Sequence, residues 1–536
     1  MRKSFPSQHL LSALQIATIC AFGVYVIGFV QQSIAIVQAP WSVDYVEVPE
    51  LNRALQLAQG KEIYRAWDVP PFWESNYTPI FSWLHSFFVD PTQPSFLWGR
   101  SVNVLLSLLT ASLLVRIVHT CSVALWKSVL AGFLYVSTDV IWLWGSLLRV
   151  DTLAVFFNIM ALWVFFEPKA QNWKGRNFAI AVLCILAAFT RQTMIAAMMS
   201  ILLVLVFENR KAFLQVFASY IVLGIVGVIW LMWSSNGLAY QHLVVANVNY
   251  FSWENVAFFL GNLWTLYHGW IIPIVLGLVY VFREKRGLFW YAVFSFLVAL
   301  TIGKIGASLN YVMELMAISS VLCVLGLVKI EEKWLGHGRW GIVGLWLLML
   351  ISWQQLLHFP WSRAPKAKGG FTAQAENGWD VVANGIASLP FGYLDPFGER
   401  QGKKLLSRSV RLFPPHPGEW ELAGIRNIEE NLPKFPGLIL SEDMNATITH
   451  GRPLWIQPFE FNQMAEQGIW DPEPLHHAIA KKDFALVILL FALEKDISGT
   501  ASGQRFSKKT QGLLRDNYDF VTREGNYWIY VPKPQP

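Results

Sequence analysis

The fold class this sequence predicts is an α-helical polytopic membrane protein with a small soluble α/β domain at its C-terminus. Three observations predict it. Charged residues make up 15% of the 536 positions and hydrophobic ones 54%, with a mean hydropathy of +0.39; a soluble domain carries about a quarter charged residues. Apolar runs of about 20 residues, enough to cross a bilayer, recur as far as residue 358. Tryptophan is abundant, 26 residues, as expected where aromatic rings sit at the headgroup level.

The elements follow in order. Arg2 and Lys3 precede an apolar stretch over 11–37. It is too long for a signal peptide and lacks a clear small-residue cleavage site, so it reads as a retained first span. Further spans are predicted over 97–118, 122–145, 150–167, 213–233, 264–282, 287–303, 311–329 and 341–358. Residues 177–207 form either one long helix or two short ones broken at "FTRQT". Loop charge decides, because "EPKAQNWKGR", "ENRK" and "REKR" all fall on the inner side only if the stretch is a hairpin. The result is about eleven spans with a cytoplasmic N-terminus. Loops 38–96, 146–151, 190–193, 234–263 and 303–310, and the tail 359–536, then share the outer face of a cell (inner) membrane, the tail being periplasmic or extracellular. That tail is polar and rich in proline, with strand-like "GLIL", "FALVILLF" and "YWIYVP" between helical patterns, which predicts the α/β domain.

Composition also excludes. A net charge of +6 without a long basic block argues against nucleic acid as a partner. Cys20, Cys121, Cys184 and Cys323 lie in or beside apolar runs and read as packing residues. The histidines form no HExxH or comparable ligand set, and His476 and His477 read as surface helix residues. Asn76-Tyr77-Thr78 and Asn445-Ala446-Thr447 match the glycosylation sequon, a pattern that chance produces often.

Ionisable residues at membrane depth cost roughly 2.5–3.5 kcal/mol each at a helix centre, so they usually line a cavity or sit at an end. Here they gather at predicted outer ends: Asp44 and Glu47 after span one, Arg149 and Asp151 in "LLRVDTLA", Arg191 in "AAFTRQT", and Lys304, Asn310, Tyr311 and Glu314 in "GKIGASLNYVMEL". Asp44 and Glu47, three apart, share a helical face, and a carboxylate that can take a proton from a hydroxyl is what a general base requires. A solvated acidic loop is the plainer reading of the same residues, and Glu50, Glu62, Asp68 and Glu74 further along are expected mostly to solvate an amphipathic outer loop. Arg149 and Asp151 equally suit a simple pair at the head of a helix. "GKIGAS" is no Walker motif, though two glycines with Lys304 let backbone N–H groups and a cation approach an anion.

"VDYVEVPELNRALQLAQGKEIY" followed by "NYTPIFSWLHSFF" resembles the first outer loop of the GT-C glycosyltransferases, most closely the bacterial RgtA/B/C/D-like and dolichyl-phosphate-mannose–protein mannosyltransferase-like branch. "GRSVNVLLSLL", "LLRVDTLAVFF", "AAFTRQT" and "GASLNYVMEL" continue the likeness in order, over roughly residues 10–360. The resemblance implies a membrane transferase that takes a sugar from a polyprenyl-phosphate donor and passes it to a glycan, lipid or protein acceptor. It places the catalytic base on an acid of the first outer loop, here Asp44, with Glu47 as second acid or acceptor contact. Tyr45 and Val46 intervene between them, a departure from the commonest pattern that leaves open which one is the base. Arg149, Arg191 and Lys304, with Tyr311, are the groups available to a lipid phosphate leaving group; Asp151, Asn310 and Glu314 complete the predicted pocket. One base without a second positioned carboxylate suits a single inverting displacement. No metal or other cofactor is demanded, although acids in this cleft could hold a divalent ion. The competing class is a transporter or glycolipid flippase, which commonly shows inverted repeats and a midplane site; neither is visible here. A catalytically inactive glycan-binding scaffold is a third reading.

Overall fold

The computed structural model describes residues 6–334, 339–357 and 419–534, apart from 248 and 499. The predicted boundary at 358/359 falls outside the described residues. The first part is a helical bundle: α1 (Pro6–Gln38), then α2 (Glu47–Ala58) and α3 (Ile80–Ser86) in the first loop, α4 (Leu97–Thr120), α5 (Leu125–Ser137), α6 (Asp139–Trp144), α7 (Val150–Phe166), α8 (Arg176–Ala188), α9 (Ala196–Glu208), α10 (Arg210–Ser234), a single turn α11 (Leu238–Tyr240), α12 (Trp253–Tyr267), α13 (Ile271–Glu284), α14 (Arg286–Ala299), α15 (Met313–Trp334) and α16 (Arg339–Leu357). Five described helices are long and apolar enough to cross a membrane, six if the bent pair Trp253–Trp264 and His268–Glu284 is one span.

Two predicted spans are broken. The one over 122–145 stops at Thr138, whose hydroxyl caps α6 by accepting from the Ile141 N–H. The other, over 264–282, is preceded by α12, read in the sequence as loop. Its start is signalled by Ser252, whose hydroxyl accepts from the Glu254 and Asn255 N–H groups. The stretch 177–207 is the broken pair α8 and α9, each of 13 residues.

Burial sorts the helices. α15 is almost wholly enclosed, whereas α10 exposes Leu214, Ile221, Val222, Ile225, Val226, Ile229, Trp230 and Trp233, an apolar surface far beyond what a water-facing helix carries. The bundle is tightest where α13 meets α15. A Cβ on Gly277 would fall 2.0 Å from the Leu322 carbonyl oxygen, and one on Gly326 1.9 Å from that of Pro273, so only glycine permits this backbone approach.

The second part is an α/β domain. It contains α17 (Glu419–Asn431), β1 (Leu438–Ser441), α18 (Asn445–Ile448), α19 (Pro458–Glu466), α20 (Glu473–Ala480), β2 (Phe484–Leu489), α21 (Ala501–Arg505), α22 (Lys508–Asn517), β3 (Tyr518–Glu524) and β4 (Tyr527–Pro532). The sheet order is β1-β2-β4-β3, with β1 and β2 parallel and the remaining pairs antiparallel. Three strands coincide with those predicted; β3 was not foreseen, because its burial is low along most of its length. Both faces of the central strand β2 are covered: Leu486 and Ile488 pack with Ile425 and Ile428, Val487 and Leu489 with Phe461 and Leu475. His476 is buried in this domain, contrary to the surface reading, while His477 is exposed. Asn445 is buried too, its amide donating to Asp443 and its carbonyl oxygen accepting from the Ser42 N–H, which removes it as a glycosylation site.

The domain sits on the loop between α1 and α4. Phe72 pairs with the strand-like segment at Trp455–Gln457, its N–H donating to the Trp455 carbonyl at 2.6 Å and its carbonyl accepting from Gln457 at 2.9 Å. Its ring, fully buried, lies among Trp455, Phe461 and Trp470. Phe72→Ala is expected to cost about 3–5 kcal/mol and to loosen the domain. Limited proteolysis should then cut the chain between bundle and domain faster than in the wild type, at an unchanged helix content.

Candidate active site

Where α1 stops, its last carbonyls need donors, and Arg100 of α4 supplies them. Its guanidinium donates to the carbonyls of Ile36 and Ala39 at 2.7 Å and of Trp41 at 2.9 Å. The same group grips both carboxylate oxygens of Glu47 at 2.8 Å, with neither side chain exposed. Glu47 accepts further from the N–H groups of Leu148 at 2.8 Å and Val43 at 2.7 Å. Burial pushes this carboxyl up, but the Arg100 charge and these hydrogen bonds outweigh it and hold Glu47 below the usual carboxylate range. A carboxylate so saturated has no lone pair aimed at a substrate. This placement speaks against Glu47 as base or acceptor contact and makes it the fastener of the loop.

Asp44 is placed differently. It lies in the turn before α2, with its side chain 23% exposed. Oδ2 accepts from Arg149 Nη1 at 2.6 Å and from the Val46 N–H at 3.0 Å, and Oδ1 has no partner among the described residues. Arg149 also donates through Nε to Asp151 at 3.0 Å and lies over the Trp144 ring. The other oxygen of Asp151 accepts from Arg191 and, at 2.9 Å, from Asn310. Arg191 in turn stacks on Tyr311, 4.1 Å from the ring centre. Four loops distant in sequence thus form one chain of contacts: Asp44, Arg149, Asp151, then Arg191 with Asn310 and Tyr311.

Two predicted residues stand apart from this chain. Glu314 is buried on α15 and accepts from Asn158 at 2.7 Å; Asn158 follows Asp151 by seven residues, about 10 Å along α7. Lys304 donates to the Asn247 carbonyl at 2.9 Å. Asn247 reaches the Asn76 carbonyl, which Gln192 also contacts, and the Asn76 side chain accepts from Arg53, so Lys304 lies on the adjoining wall. It has no carboxylate within ion-pair distance among the described residues.

Sequence reasoning placed Glu50, Glu62, Asp68 and Glu74 in a solvated loop. That holds for Glu62 and Asp68, which are exposed, but Glu50 and Glu74 are buried. The spacing carried the signal. Glu47, Glu50 and Arg53 recur every three residues, so they share the inward face of α2, and Glu50 pairs with Arg53. Burial raises Glu50 in spite of Arg53, and burial together with the Glu460 charge pushes Glu74 well above the usual carboxylate range. Glu460 comes from the C-terminal domain, where it accepts from the Tyr45 hydroxyl at 3.0 Å; nothing in the sequence tied it to the first loop. No group of three or more His, Cys, Asp or Glu side chains gathers as a metal site among the described residues.

The described residues form an α-helical bundle with five or six helices of membrane-crossing character, polar loops converging at one end and a small sheet domain packed against them. In the comparison of structures, the chain matches ArnT from Cupriavidus metallidurans in the apo state with a TM-score of 0.60 at 12% identity, covering 96% of this chain and 99% of that one. It matches the same protein bound to undecaprenyl phosphate with a TM-score of 0.58, again at 12% identity and over 96% and 99% of the two chains. No protein-family model and no curated protein sequence matches the chain. The fold is the GT-C fold.

The fastener can be tested. Glu47→Gln leaves Arg100 buried without its counter-charge, for which about 3–5 kcal/mol of stability should be lost, read as a lower thermal midpoint in detergent. Because Glu47 is held below its unfolded pKa, its stabilisation is present above the ordinary carboxylate range and is lost as pH falls through the lowered value. The gap between wild type and variant should therefore close in acid and stay open at neutral pH.

Proposed function

We propose that this protein is a membrane glycosyltransferase, moving a sugar from a polyprenyl-phosphate donor to an acceptor hydroxyl with inversion. The observation that carries the reading is the state of Asp44: partly exposed, anchored through one oxygen by Arg149, and with the other oxygen unengaged. A general base needs that combination of fixed position and free lone pair. The GT-C fold supports the class of reaction, and the ArnT structure bound to undecaprenyl phosphate supports a polyprenyl-phosphate donor.

In this reading Asp44 Oδ1 takes the proton of the acceptor hydroxyl as its oxygen forms a bond to the anomeric carbon. The bond from that carbon to the phosphate oxygen breaks through an oxocarbenium-like state, and its electron pair stays on the lipid phosphate. Lys304 is the cation that meets that charge, because Arg149 and Arg191 are already matched by Asp44 and Asp151. Arg191 Nη2, buried and without a partner among the described residues, is a second donor to it. The acceptor is a glycan, lipid or protein, and hexosyl and pentosyl donors both suit the site.

Purified protein given a panel of polyprenyl-phosphate sugars and extracted acceptors should consume one donor, read by mass spectrometry. Asp44→Asn is expected to lower turnover by about 100-fold or more, with a smaller fall in thermal midpoint than Glu47→Gln because Asp151 still pairs with Arg149. Lys304→Ala should chiefly raise KM for the donor, since it removes a charge-assisted contact. Full turnover in Asp44→Asn would move the base elsewhere.

The orientation proposed is the one loop charge implies, with the N-terminus in the cytoplasm and the C-terminal domain on the outer side of the cell membrane. Cysteines introduced at the exposed Glu62 and Lys481 should both react with an impermeant maleimide in intact cells. Reaction only after permeabilisation would invert the topology.

A further inference from the structure

Glu74 and Gln457 lie opposite one another where the first outer loop meets the C-terminal domain. The Glu74 N–H donates to Gln457 Oε1 at 2.9 Å, and the Phe72 clamp, two residues earlier in one segment and at the same residue in the other, fixes their register. Both are at least nine-tenths buried, Glu74 at 4% exposure and Gln457 at 1%. Each nevertheless has a side-chain atom with no partner among the described residues: Oε2 of Glu74 and Nε2 of Gln457. A buried donor or acceptor left unpaired costs stability, so a hydrogen-bonding partner belongs there.

The chemistry of the two atoms narrows that ligand. Nε2 can only donate, and a carboxyl oxygen accepts. A hydroxyl, which donates and accepts at once, satisfies both in either protonation state of the acid; an ammonium satisfies only the acid, and a phosphate satisfies both only where the acid is protonated. The surroundings agree, because Arg53 and Lys304 act on Glu74 as cations while Glu460 and burial drive it towards its neutral form. It is therefore poorly suited to trap a cation.

We propose that Glu74 Oε2 and Gln457 Nε2 together bind one hydroxyl of a sugar, so that the C-terminal domain takes part in choosing the substrate. The inference rests on the transferase reading above, in which Lys304 meets the donor phosphate. Lys304 donates to the Asn247 carbonyl, and the Asn247 amide reaches the carbonyl of Asn76, two residues after Glu74, which puts the sugar next to that phosphate near the pair. A sugar of the acceptor offers the same chemistry, and the two sources are separated by the test.

The test compares wild type with Glu74→Gln and Gln457→Glu. The second variant keeps the oxygen that accepts from the Glu74 N–H and removes the donor, so the domain junction is preserved. Steady-state kinetics are measured with the donor and acceptor that the wild type uses, and with monodeoxy analogues of each sugar. Both variants are expected to raise KM for one of the two substrates by about 10-fold or more, with a smaller change in kcat. One deoxy analogue should cost the wild type about 100-fold in kcat/KM and cost the variants less than about 3-fold, a pattern that mere loosening of the fold does not produce. If that analogue belongs to the donor series the donor sugar is being read, and if to the acceptor series the acceptor. Wild-type KM values in both variants, with equal deoxy penalties throughout, would overturn the inference and leave the pair to ordered water, while a dead Asp44→Asn in the same assay would still uphold the transferase reading. Absence of turnover in the wild type with every donor would remove that reading and this inference with it.

Discussion

Arg100 reaches from α4 into the gap where α1 ends and the loop to α4 begins, and there it meets Glu47. The guanidinium uses all three nitrogens: one caps the carbonyls of Ile36 and Ala39, and the others hold the two oxygens of Glu47 and the carbonyl of Trp41. Glu47 passes the constraint on through the Leu148 N–H. Two loops separated by a hundred residues are thereby registered to a single carboxylate. A buried pair of this kind adds little net stability over an apolar replacement, but breaking it is expensive, and its geometry is specific. Asp44 stands three residues before Glu47, and Arg149 follows Leu148, so the contact between Asp44 and Arg149 inherits its precision from that pair.

Charge matching then determines what the cleft can still do. Asp44 and Asp151 neutralise Arg149 and Arg191, and Glu50 neutralises Arg53. These interlocked pairs make a rigid polar wall, which is the form electrostatic preorganisation takes when no water is free to rearrange. Rigidity uses up charge, however, and a new anion needs a cation that has not been matched. Lys304 meets that condition because its hydrogen-bond partner is the backbone carbonyl of Asn247. It also sits on the loop that carries Gly306, at a φ of +83°, a conformation glycine adopts without strain.

Most of the bundle was legible in the sequence, since apolar runs of spanning length are the strongest pattern a chain can carry. The breaks were less so. Thr138 interrupts α5 and α6 by capping the second helix, and Ser252 starts α12, yet neither hydroxyl alters the hydropathy around it. In the site, Asp44, Arg149, Asp151, Arg191, Asn310 and Tyr311 could be grouped from loop parity alone, because parity puts their loops at one end. Parity does not say which acid is saturated. Asp44 and Glu47 read alike until Arg100 is seen on one of them, and Arg100, inside an apolar run, gave no sign of its role. Glu50 and Glu74 were misread for the opposite reason: a loop rich in acids looks solvated unless something covers it. Glu50 is enclosed with Arg53 and Ser82, and Glu74 is met by Gln457, nearly four hundred residues away.

That cover explains why the first loop can be so acidic. Tyr45, next to Asp44, gives its hydroxyl hydrogen to Glu460 and accepts the Phe459 N–H, while Arg505 lies over its ring at 4.6 Å. Trp41 donates to Glu429 and packs against Tyr527. Aromatic side chains of the loop are therefore anchored in the C-terminal domain, while Asp44 between them faces Arg149 of the bundle. An uncovered loop would leave Glu74 in water, where acids repel one another weakly and bind nothing in particular. Against the domain it is desolvated, and desolvation converts such an acid into a group whose hydrogen bonding is strong and selective. The domain thus acts on the site through the dielectric it imposes as well as through the side chains it contributes.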